Sequence, residues 1–206
     1  FAAYGLRLSR RRIYELTPAD RGELFHHVLA AVGEAVRARG IAWAAVDEAL
    51  AGELVDASLA EYLPLFLSGI MRSTARYAYL QGRIREALVS AVLLTARTLA
   101  GGEFQPVAFE LAFGSDTPHA LPALELRLDD GRRLQLSGRI DRVDMAESAD
   151  GTRAYFRIVD YKTGDVSLDR EDIAAGLRLQ LLVYLQVVLT NSAVFTAKQP
   201  AVAGVY

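Results

Sequence analysis

The chain has 206 residues, 52% of them hydrophobic, and 25 acidic against 23 basic side chains give it a formal charge of −2. That is enough for one generous domain, or a domain with a helical annex, built around a substantial core. The charge balance excludes a bulk polycation, so any nucleic acid must be met by local basic patches and bound metal; the absence of cysteine excludes a disulfide framework or a thiolate metal site.

The first half reads as helical. Its Arg-rich start has no apolar run behind it and is not a secretory signal. Thr17-Pro18-Ala19-Asp20 then supplies a cap residue, a proline at the first helical position and an acid in the first turn. Leu24, Phe25, Val28, Leu29, Val32 and Val36 recur at helical spacing until Gly40 stops the run. A second helix is expected from about Ala44 to Glu61. A third is expected from near Leu63 through Leu99 to the Gly101-Gly102 break, with room for a kink at Gly69 or Gly82. The longest apolar run, Ala87–Ala96, is interrupted by Ser90 and Thr95 and is too short to cross a bilayer. A cytoplasmic location fits these features.

The second half changes period. Pro106–Phe113, Ala123–Leu128, Leu134–Asp144 and Tyr155–Tyr161 read as strands, with hairpin turns at Asp130-Gly131 and Asp150-Gly151. Ile173–Thr190 reads as a helix and Ala201–Tyr206 as a further strand. The expected class is α/β, an antiparallel meander with a helix and a last strand behind a helical amino-terminal region. A start at Phe1 and an end at Tyr206 in strand-like sequence suggest a piece of a longer polypeptide.

Two segments carry chemistry: Gly138-Arg139-Ile140-Asp141-Arg142-Val143-Asp144 and Ile158-Val159-Asp160-Tyr161-Lys162-Thr163-Gly164. A two-residue turn at Asp150-Gly151 places Asp141 directly across from Asp160, on one face of the hairpin. Two carboxylates meeting there repel unless a cation lies between them, and hard divalent metals prefer such oxygens. Period two puts Lys162 on the same face, where an ammonium can hold an attacking water and offset charge developing on phosphorus. Polar residues of a solvated strand face would give the same pattern, and residue physics alone does not choose.

These two segments, with Gly176-Leu177-Arg178-Leu179-Gln180-Leu181-Leu182-Val183-Tyr184-Leu185 after them, resemble the PD-(D/E)XK nucleases of the RecB type, nearest to their AddB-like branch. The likeness extends to Tyr4-Gly5-Leu6-Arg7-Leu8 and Asp20-Arg21-Gly22-Glu23-Leu24-Phe25-His26, while the stretch from about Ala44 to Gly102 carries no motif. The resemblance implies a restriction-endonuclease-like core with a mixed sheet. Residues 1–102 would be a helical leader contributing His26 and 103–206 the core, together one structural unit. It implies magnesium or manganese held by His26, Asp141, Asp160 and the Tyr161 carbonyl, with Asp141, Asp160, Lys162 and Glu110 as the catalytic set. Gln180 and Tyr184 match the family's Gln-x-x-x-Tyr motif and, with Arg139 and Arg142, would support the site or meet DNA. The implied activity is metal-dependent DNA hydrolysis in a helicase–nuclease that processes double-strand breaks for recombinational repair, alongside an AddA-like partner subunit. AddB-like proteins also carry four cysteines for an iron–sulfur cluster; this chain has none, and the resemblance places them in flanking sequence.

Plainer readings stand beside each assignment. His26 and His27 both lie off the apolar stripe, and only the family pattern selects His26. Glu110 sits in an apolar run, where a carboxylate needs a partner or a metal. Tyr184 fits core packing as well as DNA contact, and Arg139 and Arg142 fit phosphate contact as well as neutralisation of neighbouring acids. A stand-alone RecB-type single-strand nuclease and a catalytically inactive DNA-binding scaffold are the rival functions.

Overall fold

The computed structural model describes residues 18–66, 75–162 and 179–205. Helix α1 (Pro18–Ala38) buries the stripe that its spacing predicts, with Leu24, Val28, Leu29, Val32 and Val36 all inside. It stops where Gly40 turns to φ +63, a conformation that strains any residue with a Cβ. Helix α2 (Glu48–Phe66) begins later than residue 44, because Trp43–Ala45 form a separate 3-10 turn. Asp47 caps it, accepting the Leu50 N–H at 2.9 Å. Leu63, expected to open the third helix, lies inside α2; helix α3 (Ala75–Ala100) runs through Gly82 unbroken. Gly69 lies outside the described residues. The three helices share one apolar cluster, in which Val55, Leu88 and Leu99 are fully buried. No helix among the described residues is long and apolar enough to cross a membrane.

The strands follow as β1 (Gln105–Phe113), β2 (Leu124–Arg127), β3 (Arg133–Leu136), β4 (Gly138–Glu147), β5 (Arg153–Val159) and β6 (Gln199–Val205). The main sheet has the order β1-β4-β5-β6. It is mixed: β1, β4 and β5 run antiparallel, and β6 returns parallel to β5 after helix α4 (Gln180–Thr190). The strand expected over Leu134–Asp144 divides at Ser137, with β3 pairing β2 in a separate hairpin and β4 joining the sheet. The Asp150-Gly151 connection is longer than two residues, since Ser148 bonds Arg153 around a loop of 149–152. The β4–β5 register is nevertheless the one a turn centred there dictates, with Arg142 opposite Val159 and Asp144 opposite Arg157.

A second apolar cluster joins Phe113, Ile140, Val143, Phe156 and Ile158 of the sheet to Tyr184, Leu185, Val187 and Val188 of α4. Phe109 packs instead with the helical cluster, although Leu111, two positions on, packs with α4. Between them Glu110 holds φ +45, so β1 changes the side it presents at that residue. The Phe109 ring lies so close to α1 that a Cβ on Gly33 would sit 2.2 Å from it. Only glycine lets α1 approach here, and His26 stands two turns earlier on the same helix.

Candidate active site

Glu110 and Asp141 occupy facing positions, between the pairs Phe109↔Arg142 and Leu111↔Ile140. Helix α1 brings His26 to both: its Nδ1 lies 3.1 Å from Asp141 Oδ1 and 3.6 Å from Glu110 Oε1. Its Nε2 lies 3.0 Å from the Tyr161 carbonyl oxygen. The Tyr161 N–H donates to Asp141 Oδ2 at 2.6 Å, tying the segment after β5 to β4. One ligand atom from each of His26, Glu110 and Asp141 lies within 4.8 Å of the others. Ions bound at about 2.1 Å hold opposite ligands roughly 4.2 Å apart, so this spacing suits a small divalent cation. An imidazole, two carboxylates and a carbonyl are also the donors that magnesium and manganese accept.

The electrostatics follow from this crowding. Contact with Asp141 first, and with Glu110 next, raises the His26 pKa to about 10, making it a cation among the acids. Burial pushes Glu110 upward, but His26 and Arg139 outweigh it and hold the carboxyl below its usual range. Asp160 goes the other way: burial raises it, Lys162 opposes, and the charge of Asp141 adds to the rise. The elevation expected of crowded carboxylates thus falls on Asp160 and not on Glu110, which has two cations beside it.

Asp160 stands outside the three-residue group. Its Oδ2 is 2.6 Å from Lys162 Nζ, and its Oδ1 accepts from Gln180 Nε2 at 3.4 Å. Gln180 also donates to the Tyr184 hydroxyl at 2.8 Å, so the two members of the Gln-x-x-x-Tyr motif bond each other and the tyrosine ring lies in the α4 core. His27 stacks on Tyr62, its ring 5.3 Å away, and not on the acids. Arg139 reaches Glu110 Oε2 at 3.2 Å and remains exposed. Arg142 is buried. It donates to the Tyr161 hydroxyl at 2.9 Å and to Asp144 Oδ2 at 3.1 Å, so it neutralises an acid and anchors the tyrosine whose backbone enters the site.

A profile of the PD-(D/E)XK nuclease superfamily matches residues 1–206. The chain belongs to this superfamily. It is 40% identical over 200 residues to an ATP-dependent helicase/deoxyribonuclease subunit of Pelotomaculum thermopropionicum, covering 95% of this chain and 17% of the relative. To the subunit so named in Oceanobacillus iheyensis it is 37% identical over 205 residues, all of this chain and 17% of that one. The Caldanaerobacter subterraneus subunit of the same name is 36% identical over 192 residues, 93% of this chain and 16% of the relative. The chain therefore spans less than a fifth of these relatives. As a member of this superfamily it has the restriction-endonuclease-like architecture, a mixed sheet with helices packed on it.

Residue pattern alone missed two supports of the site. Asp144 and Arg157 face each other on β4 and β5, and the register read from Asp150-Gly151 already pairs them. Gly33 carries no local signal, because its partner Phe109 is distant in sequence.

Proposed function

We propose that this chain is the nuclease domain of an AddB-like helicase–deoxyribonuclease subunit and hydrolyses DNA phosphodiester bonds with magnesium or manganese. The observation that carries this is the meeting of His26, Glu110, Asp141 and the Tyr161 carbonyl, drawn from distant parts of the chain, beside an Asp160–Lys162 pair. His26, Glu110, Asp141 and the Tyr161 carbonyl would hold the cation, with Asp160 joining as its carboxylate turns from Lys162. When bound, a divalent cation polarises a phosphoryl oxygen and makes water more acidic. Lys162 places its ammonium beside the scissile phosphate, orients the attacking water and offsets the developing negative charge. Gln180 steers Asp160 from behind. Arg139 leaves Glu110 to meet a phosphate oxygen. In the intact assembly the domain would act with an AddA-like subunit on a strand unwound during double-strand-break processing.

The test uses the full-length protein on single-stranded DNA. Asp160→Ala and Lys162→Ala should each lower magnesium-dependent cleavage by about 10² or more while DNA binding persists. Calorimetric titration should show weaker metal binding for Asp160→Ala and unchanged binding for Lys162→Ala. Calcium should bind but support little cleavage, because its looser coordination positions water less strictly. Full activity in Asp160→Ala, or equal cleavage with and without chelator, would overturn the assignment.

A further inference from the structure

The face of β4 that carries Asp141 continues beyond the site. Along residues 135–140, exposure alternates: Gln135, Ser137 and Arg139 are exposed, whereas Leu136, Gly138 and Ile140 are covered. Leu136 and Ile140 pack with the α4 cluster, and a Cβ on Gly138 would press on Phe113 at 3.0 Å. The odd-numbered residues thus point to the other side, and Ser137, Arg139 and Asp141 line one cavity with Ser115, Thr117 and His26. Along β3, Leu136 and its partner Leu124 pack with the α4 cluster, so Gln135 and Arg133 lie on the opposite face of the hairpin.

At that outer end Arg133 lies directly opposite Arg127 of β2. Like charges on facing strand positions repel, and among the described residues neither arginine has an acidic partner. Of the acids in the hairpin, Glu125 accepts from Gln135 at 2.8 Å and Asp130 pairs with Arg132 at 2.6 Å, while exposed Asp129 lies in the turn. A facing arginine pair left open, continuous with a row of hydroxyls and Arg139 that ends at Asp141, suits a polyanion laid along the strand. The eight steps from Arg133 to Asp141 span at most about 26 Å, at roughly 3.3 Å each.

We infer that the β2–β3 hairpin is a phosphate-binding track, on which Arg127 and Arg133 grip a single strand of DNA several nucleotides from the bond cut at Asp141. The inference rests on the nuclease reading above. The occupant is a single strand because the charged and hydroxyl groups form one row, as wide as a single backbone, that leads into a cavity of about 730 Å³. The contacts are to backbone phosphates, since arginines on an open strand face with no aromatic platform among them read charge and not base identity.

Binding of fluorescent single-stranded oligonucleotides to the full-length protein in chelator tests this without cleavage. One probe reaches only the site and its immediate neighbours; the other is long enough to reach the hairpin. The double variant Arg127→Ala/Arg133→Ala should bind the long probe several-fold more weakly. Its slope of log affinity against log salt should fall by about 1.4, at roughly 0.7 per lost phosphate contact on a single strand. The short probe should bind as to wild type, and Arg127→Lys/Arg133→Lys should restore most of the slope. Because both arginines are exposed, an unchanged melting temperature is expected; if the double variant melts early, the two single variants, each with half the effect, carry the test. An unchanged slope, or equal losses for both probes, overturns the track. Magnesium-dependent cleavage by the wild type separates the two readings: a changed slope without cleavage keeps the track and removes the nuclease, and cleavage with an unchanged slope does the reverse.

Discussion

Two aspartates three positions apart on β4 live in opposite surroundings. Asp144 is fully buried between two cations: Arg142 Nε lies 2.8 Å from its Oδ1, without a hydrogen bond, and Arg157 Nη2 lies 2.6 Å from its Oδ2. Arg157 in turn stacks its guanidinium 4.5 Å from the centre of the Phe104 ring, closing the cluster against the helices. Asp141 is nearly as buried, at 6% exposure, yet its neighbours are a second carboxylate, a histidine and a peptide. One cluster is held by two permanent arginine charges. The other compensates its carboxylates with a titratable histidine and with the exposed side chains of Arg139 and Lys162, cations that a metal can replace. Burial alone does not distinguish the two aspartates; the permanence of the neighbouring cations does.

The sharpest way to break this contrast is to remove the charge from each aspartate. Asp144→Asn should cost about 3–5 kcal/mol, because it strands buried arginines. Asp141→Asn should change stability by less than about 1 kcal/mol while abolishing magnesium-dependent cleavage. Denaturant midpoints for both variants decide it; equal stability losses would erase the distinction. A smaller effect comes from the residue that joins the clusters. Tyr161→Phe removes the hydroxyl held by Arg142 and should cost roughly 1–3 kcal/mol. It should also weaken metal binding about 10- to 100-fold, because the side chain anchors the peptide whose carbonyl faces His26. Lower stability with unchanged metal affinity would show that the clusters are independent.

The β4–β5 loop holds a third aspartate, which sets the lower bound. Asp150 is fully exposed, and the Ser148 hydroxyl first, then the Thr152 N–H, lower its pKa to about 2. A folded pKa below the unfolded value near 3.8 means that its stabilisation is present above pH 3.8 and is lost as pH falls through 2. Asp150→Asn should therefore melt slightly below wild type at neutral pH and converge with it at the acid end. Melting curves across that range check the sign.

Much of this arrangement was legible in the sequence, for specific physical reasons. Helix α1 announced itself through its cap and apolar stripe, and the hairpin register followed from Asp150-Gly151 although the loop is wider than two residues. The division at Ser137 was not legible, because alternation continues through it and only the change of pairing partner breaks the strand. The start of α2 was misplaced because Asp47 acts as a cap within a run whose apolar residues continue on both sides. Glu110 was singled out for its apolar neighbours, but its left-handed backbone was invisible, since nothing in a glutamate favours φ +45. Such a conformation persists only where the surroundings hold it, which fits a residue at a functional site.

The seat of Phe109 on Gly33 bears on when in the life of the chain this site can exist. His26 meets the Tyr161 carbonyl across 135 positions, so no partial chain ending before β5 possesses the complete donor set. Closing so long a loop is entropically slow, and the helices can form long before they dock. Until helix α1 docks where the Phe109 ring lies against Gly33, His26 cannot meet Glu110 and Asp141. On the proposed nuclease reading, completion of the fold and gain of cleavage become one event, with a single hydrogen atom at position 33 as its clearance.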